Sequence, residues 1–133
     1  MAMTVTWSLI GSSGSTTDFQ LQGNTSTEAT YVAPTVGSAA EPVVMRITNE
    51  TKPLTSNGSD RHRITVQRVK RDATTNVAHV CSATVVWTVP RAGVFTDADL
   101  KDVWSWLANM MSTTSGSNWV SRNAGSLIDN ILP

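Results

Sequence analysis

Apolar and polar side chains alternate along most of the chain as far as Pro90, which is the period of a β-strand because successive side chains face opposite sides of a sheet. The pattern is clearest at residues 77–89, where Cys81, Ala83, Val85, Trp87 and Val89 share one face and Ser82, Thr84, Val86 and Thr88 the other. Residues 42–50 divide the same way, into Val43, Met45, Ile47 against Val44, Arg46, Thr48. Residues 61–69 set Ile64 and Val66 against Arg63, Thr65 and Gln67, with a slip at Arg68-Val69 that predicts a bulge or the strand's end. Upstream, residues 3–10 and 16–22 read as two strands joined by Gly11-Ser12-Ser13-Gly14-Ser15, a connection of hairpin length. Residues 30–33 give a short strand ended by Pro34. Loops are expected at 35–41, at 51–60 with Pro53, Asn57 and Gly58, and at 72–76.

After Pro90 the period changes. Thr96 is a good N-cap, and Asp97 and Asp99 fall in the first turn, where carboxylates complement the helix dipole. Leu100, Val103, Trp104, Leu107, Met110 and Met111 then recur at helical spacing, predicting a helix over 96–111. A second helix is expected over 117–130, with Val120, Ala124, Leu127, Ile128 and Ile131 as its stripe. The expected fold is therefore α+β in a single domain spanning 1–133: an N-terminal hairpin (3–22), a five-stranded antiparallel sheet (29–90) and two C-terminal helices on one sheet face. Trp106 lies off its helix stripe and Trp119 is marginal to its own. Tryptophans left over on covering helices point to burial by a second subunit, hence a dimer, the alternative being that both half-bury on their own sheet.

Charge adds one feature to this picture. Five of the ten basic residues (Arg61, Arg63, Arg68, Lys70, Arg71) fall in an acid-free segment, although the whole chain is formally neutral. Affinity for a polyanion would thus come from a local patch. With the three long strands adjacent, Arg46, Thr48, Arg63, Thr65, Gln67, Ser82 and Thr84 share one surface. Arginines there would neutralise phosphates, and the hydroxyls and amide would hydrogen-bond phosphate, sugar or base edges. A solvated sheet face rich in β-forming threonine gives the same pattern.

Catalytic signatures are missing. There is no nucleophile elbow, no phosphate-cradling glycine loop and no dinucleotide fingerprint. His62 and His79 have no partner at metal-ligand spacing, so neither a metal nor a cofactor is expected. His62, between Arg61 and Arg63, reads as an addition to the basic surface, and Asp97, Asp99 and Asp102 as dipole complements. Cys81, the sole cysteine, reads as a buried inert thiol. The start lacks a signal peptide and no run approaches the roughly 18 apolar residues of a membrane span, so a soluble protein, cytosolic or released from a cytosol, is expected, without a membrane partner.

The order of these parts resembles the coat proteins of single-stranded RNA bacteriophages, the levivirus-like group. The resemblance covers nearly the whole length. It rests on the N-terminal hairpin, the long strands at 43–49 and 62–67, residues 83–90 ending in Thr88-Val89-Pro90, the helix opened by Phe95-Thr96-Asp97, and the tail from Ser126 to Pro133. It implies a capsid protein of the virion, assembled in the bacterial cytoplasm, whose subunits join edge to edge into a continuous-sheet, intertwined dimer. Trp104, Trp106, Leu107 and Trp119 would pack the interlocked helices, and dimers would build an icosahedral shell. The polar face would meet viral RNA, including a hairpin operator that represses replicase translation, through Arg46, Thr48, Arg63, Thr65, Gln67, Ser82 and Thr84. The resemblance also implies an inter-strand loop at 70–79 around the symmetry axes and an outward-projecting hairpin at 11–15. Ser82 stands where some members carry a stacking tyrosine, and the axis loop has no cysteine, so neither base stacking nor inter-subunit disulfides are expected. The rival expectation is a stand-alone dimeric α+β RNA-binding module, or a small enzyme with its site at a dimer cleft; no small-molecule substrate is expected on the main reading.

Overall fold

A computed structural model of the chain describes residues 5–10, 15–50, 58–91 and 93–111. In chain order the elements are β1 (Thr6–Ile10), β2 (Thr16–Asn24), β3 (Glu28–Val32), β4 (Val43–Glu50), β5 (Ser59–Arg71), β6 (Ala78–Pro90) and α1 (Asp97–Met111). The strands form one antiparallel sheet in sequence order, each paired with its chain neighbours. α1 belongs to a second compact unit, beginning at Gly93.

The sheet has six strands where the sequence predicts five beside a hairpin. The hairpin is its outer edge: β2 runs on to Asn24 and pairs β3 across a bulge between Leu21 and Gly23. A tight turn makes this possible. The Thr25 hydroxyl accepts the backbone N–H groups of Thr27 and Glu28, at 3.4 and 3.1 Å, so β3 starts at Glu28, two residues earlier than expected.

No slip occurs at Arg68-Val69. β5 holds register with β6 from Ser59 opposite Pro90 to Arg71 opposite Ala78. A ladder of that length outweighs a local break in the hydrophobic pattern. The expected loop at 70–79 shrinks accordingly to the turn after Arg71, since Lys70, Arg71, Ala78 and His79 all pair in strands. Asp72 builds that turn by accepting the Thr74 and Thr75 backbone N–H groups at 2.7 and 2.8 Å. Asn76 closes it in the left-handed region at φ 58°, which asparagine tolerates.

Residues directly opposite in an antiparallel ladder share a face. One face carries the core of Phe19, Ala29, Tyr31, Ala33, Val43 and Met45, flanked by Leu21, Ile47, Ile64 and Val66. Burial concentrates in β2–β4 and fades toward β6, where Cys81 is exposed, contrary to the buried thiol the sequence suggests. The β3–β4 loop is tied to the sheet: Glu41 accepts the Arg71 N–H at 2.7 Å, and the Pro42 carbonyl accepts the Val69 N–H at 3.0 Å.

α1 starts where the sequence places it. The Thr96 hydroxyl accepts the Asp99 N–H at 3.2 Å, while the Asp99 carboxylate takes the Thr96 N–H and O–H at 2.8 and 2.7 Å. This is a reciprocal capping box with aspartate in place of the usual glutamate. The second predicted helix (117–130), Trp119 and the hairpin tip at 11–14 lie outside the described residues. No helix among the described residues is long and apolar enough to cross a membrane.

Candidate nucleic-acid interface

Strand register brings all seven sequence-selected polar residues onto one face. Three cross-strand rows carry them: Glu28–Thr48–Arg63–Val86, Thr30–Arg46–Thr65–Thr84, and Val32–Val44–Gln67–Ser82. The Thr65 and Thr84 hydroxyls hydrogen-bond at 3.0 Å. Between β3 and β5 the rows enclose a hollow of ≈ 240 Å³ lined by Glu28, Val44, Arg46, Thr48, Arg63, Thr65 and Gln67. Ser82 and Thr84 sit one strand beyond it in the same rows.

The register also corrects the basic segment. Arg61, Arg63 and Arg71 share the polar face, whereas Arg68 and Lys70, at even positions, face the apolar side opposite Cys81 and His79. Strand parity splits the charge run in two. His62 is likewise on the apolar side, against the expectation that it adds to the basic surface. It sits 2.8 Å from the Asn49 carboxamide oxygen and edge-on to Trp87, with ring centroids 6.4 Å apart.

Two acids that the sequence reading left out pair with the arginines of the polar face. Glu28 lies 3.9 Å from Arg46, and Glu50 lies 4.0 Å from Arg63. Both pairs are exposed and at the outer limit of an ion pair, so each contributes at most about 1 kcal/mol. They leave the guanidinium groups open to a stronger anionic partner. Parity along β4 (Val44, Arg46, Thr48, Glu50) was enough to find Glu50. Glu28 required the early start of β3, which the pattern of hydrophobic residues does not mark.

Of the residues expected to pack helices, Trp104 and Trp106 are exposed on α1 and Leu107 is half-buried. Trp106 shares a second hollow with Val94, Phe95, Val103 and the carboxylates Asp99 and Asp102. Among the described residues no three His, Cys, Asp or Glu side chains are grouped to hold a metal ion.

The sequence matches no family model and no curated protein. Solved structures do match. The virus-like particle of bacteriophage AVE019 superposes with a TM-score of 0.67 at 17% identity, over 94% of this chain and 96% of that one. The particle of bacteriophage ESE020 gives 0.67 at 13% identity, over 93% and 96%. The bacteriophage GA capsid protein gives 0.63 at 12% identity, over 92% and 93%. The chain has the phage coat-protein fold. These three come from phage capsids and virus-like particles, a structural and non-enzymatic class. Identity is low across this near end-to-end coverage, so few residues are shared.

Proposed function

We propose that this chain is the coat protein of a single-stranded RNA phage, assembling as dimers into an icosahedral shell whose inner sheet face binds the viral RNA. The observation that carries the reading is the near end-to-end match, over 94% of this chain and 96% of its counterpart, to a subunit of a virus-like particle. The polar face supports the RNA part, because Arg46 and Arg63 sit among hydroxyl and amide groups in one hollow. Cations neutralise phosphates while the neutral donors and acceptors engage sugar and base edges. A hairpin in the viral message held on the same face would block replicase translation.

The outer edge of β6 supports the dimer. It pairs with no other described strand, and its thirteen residues include no Lys, Arg, Asp or Glu. At about 3.3 Å per residue this is an edge of roughly 43 Å, far longer than exposed edges are normally left without charges or a cover. A second copy adding its own β6 antiparallel would satisfy both edges at once. Trp104, Trp106, Leu107 and Trp119 would then be buried between helices of the two subunits.

Expression of the chain alone in bacteria tests the proposal. A capsid elutes as a megadalton, nucleic-acid-rich peak that contains round particles by electron microscopy. A small dimer that binds RNA without assembling would favour the stand-alone module instead, and a clean monomer would exclude both.

A further inference from the structure

We propose that Glu28 makes the polar hollow selective for guanine, an inference that rests on the RNA-binding reading above. The hollow is lined by two arginines, two threonines, a glutamine, a valine and this one carboxylate. A surface meant only for phosphate has no use for a carboxylate, since like charges repel at such range. Glu28 is nevertheless set into the lining as the first residue of β3, in register with Thr48.

Its contacts inside the protein are loose. One oxygen, Oε1, is 3.5 Å from the Thr30 hydroxyl and 3.9 Å from Arg46 Nε, both at or beyond the limit of a hydrogen bond. No hydrogen bond to Oε2 is found among the described residues. The carboxylate is thus an acceptor pair with most of its capacity unspent, on the rim of a hollow otherwise supplied with donors.

The Watson–Crick edges of the four RNA bases differ in what they offer such a group. Guanine presents two adjacent donors, N1–H and the N2 amino group, which a carboxylate accepts side by side as it does an arginine fork. Adenine and cytosine present one amino group next to a bare ring nitrogen, whose lone pair would face the second carboxylate oxygen. Uracil presents a single N–H between two carbonyls. The guanine O6, on the same edge, is an acceptor, and Arg46 beside Glu28 supplies its donors. Single-stranded RNA leaves that edge available.

Competition binding with short uridine-rich RNAs, each carrying one variable central nucleotide, tests the assignment on the purified chain and on Glu28→Gln. The wild type should bind the guanosine RNA about tenfold more tightly than the adenosine RNA, the discrimination expected of a good bidentate contact. Inosine, which lacks only the N2 amino group, should lose most of that advantage, a comparison that needs no variant to fold. Glu28→Gln should bind the adenosine, cytidine and uridine RNAs at least as tightly as the wild type, having lost a negative charge, but with the guanosine preference gone. Equal binding of guanosine, inosine and adenosine RNAs by the wild type, or an unchanged preference in Glu28→Gln, would overturn the base assignment and leave RNA binding intact. If the wild type binds none of the RNAs, the RNA-binding reading falls and the base preference with it.

Discussion

Thr65 faces Thr84 across β5 and β6 with hydroxyl oxygens 3.0 Å apart, and on its other side lies directly opposite Arg46. This row marks the register of the three long strands. A shift of one residue would send every polar side chain of a strand to the apolar side and break the core. The apolar face therefore holds the polar face in place: Met45, Val66 and Ile64 cannot stay packed unless Arg46, Thr65 and Arg63 stay opposite them.

Arg46 and Arg63 supply the positive charge of the hollow, so removing both should weaken RNA binding without disturbing the fold. Arg46→Ala with Arg63→Ala should lower the nucleic-acid content of purified particles, read from the ratio of absorbance at 260 and 280 nm, with an unchanged circular dichroism spectrum. For every phosphate that the variant no longer neutralises, the dependence of log K on log salt should flatten by about 0.7. An unchanged salt slope would mean that these arginines do not contact phosphate.

The sheet was legible because its strands are long and amphipathic. Val43, Met45 and Ile47 against Arg46 and Thr48, or Val85 and Trp87 against Thr84 and Val86, leave a single workable register. The seven polar positions followed from parity alone. Features set by turns and side-chain capping were harder to see. Glu28 joins the face only because the Thr25 hydroxyl closes a tight turn, and β2 reaches β3 only through a bulge. The split of Arg68 and Lys70 from Arg61 and Arg63 was available from the same parity rule, but a run of like charge reads as one patch when its strand phase is ignored. Exposure of Cys81 depends on which strands are covered, and one chain's pattern does not encode that.

Thr96 closes the first turn of α1 from both sides, accepting from Asp99 and donating to it. Thr96→Ala removes the hydroxyl that satisfies one of the helix's otherwise unpaired N–H groups and should cost about 1 kcal/mol. Thr96→Ser keeps the hydroxyl and should restore most of the loss. Thermal melts followed at 222 nm distinguish the two, and equal melting of Ala and Ser variants would show that the cap contributes nothing.

Gly37 is required by close approach. A Cβ added there would lie 2.8 Å from the Val43 N and 3.2 Å from the carbonyl oxygens of Ala33 and Glu41. All three neighbours are backbone atoms, and the loop they belong to is pinned through Glu41 and Pro42 to β5. Gly37→Ala should therefore destabilise the chain by roughly 1–3 kcal/mol, the usual cost of overpacking. Gly23 has no atom near its Cβ position, so Gly23→Ala serves as the control with little effect. Equal urea midpoints for the two variants would contradict the crowding argument.

Acid should weaken the fold through three carboxylates held below the ordinary aspartate range. Hydrogen bonding from Arg91 does this to Asp60, the Thr75 and Thr74 backbone N–H groups to Asp72, and the Thr96 hydroxyl and N–H to Asp99. Because folding lowers each pKa, the unfolded chain binds protons first as pH falls. The stabilisation is complete above the unfolded carboxylate value, near 4, and is lost as pH drops through the lower folded values. Asp60 has the most at stake, since the guanidinium it holds (Nε at 3.0 Å) is largely buried at the junction of β5 and β6. The melting temperature should thus decline below about pH 4. Asp60→Asn should lower it at neutral pH and make the acid decline shallower, because the variant no longer has that proton to gain. An acid limb of the same steepness in Asp60→Asn and the wild type would show that the Asp60–Arg91 pair is not what the protons break.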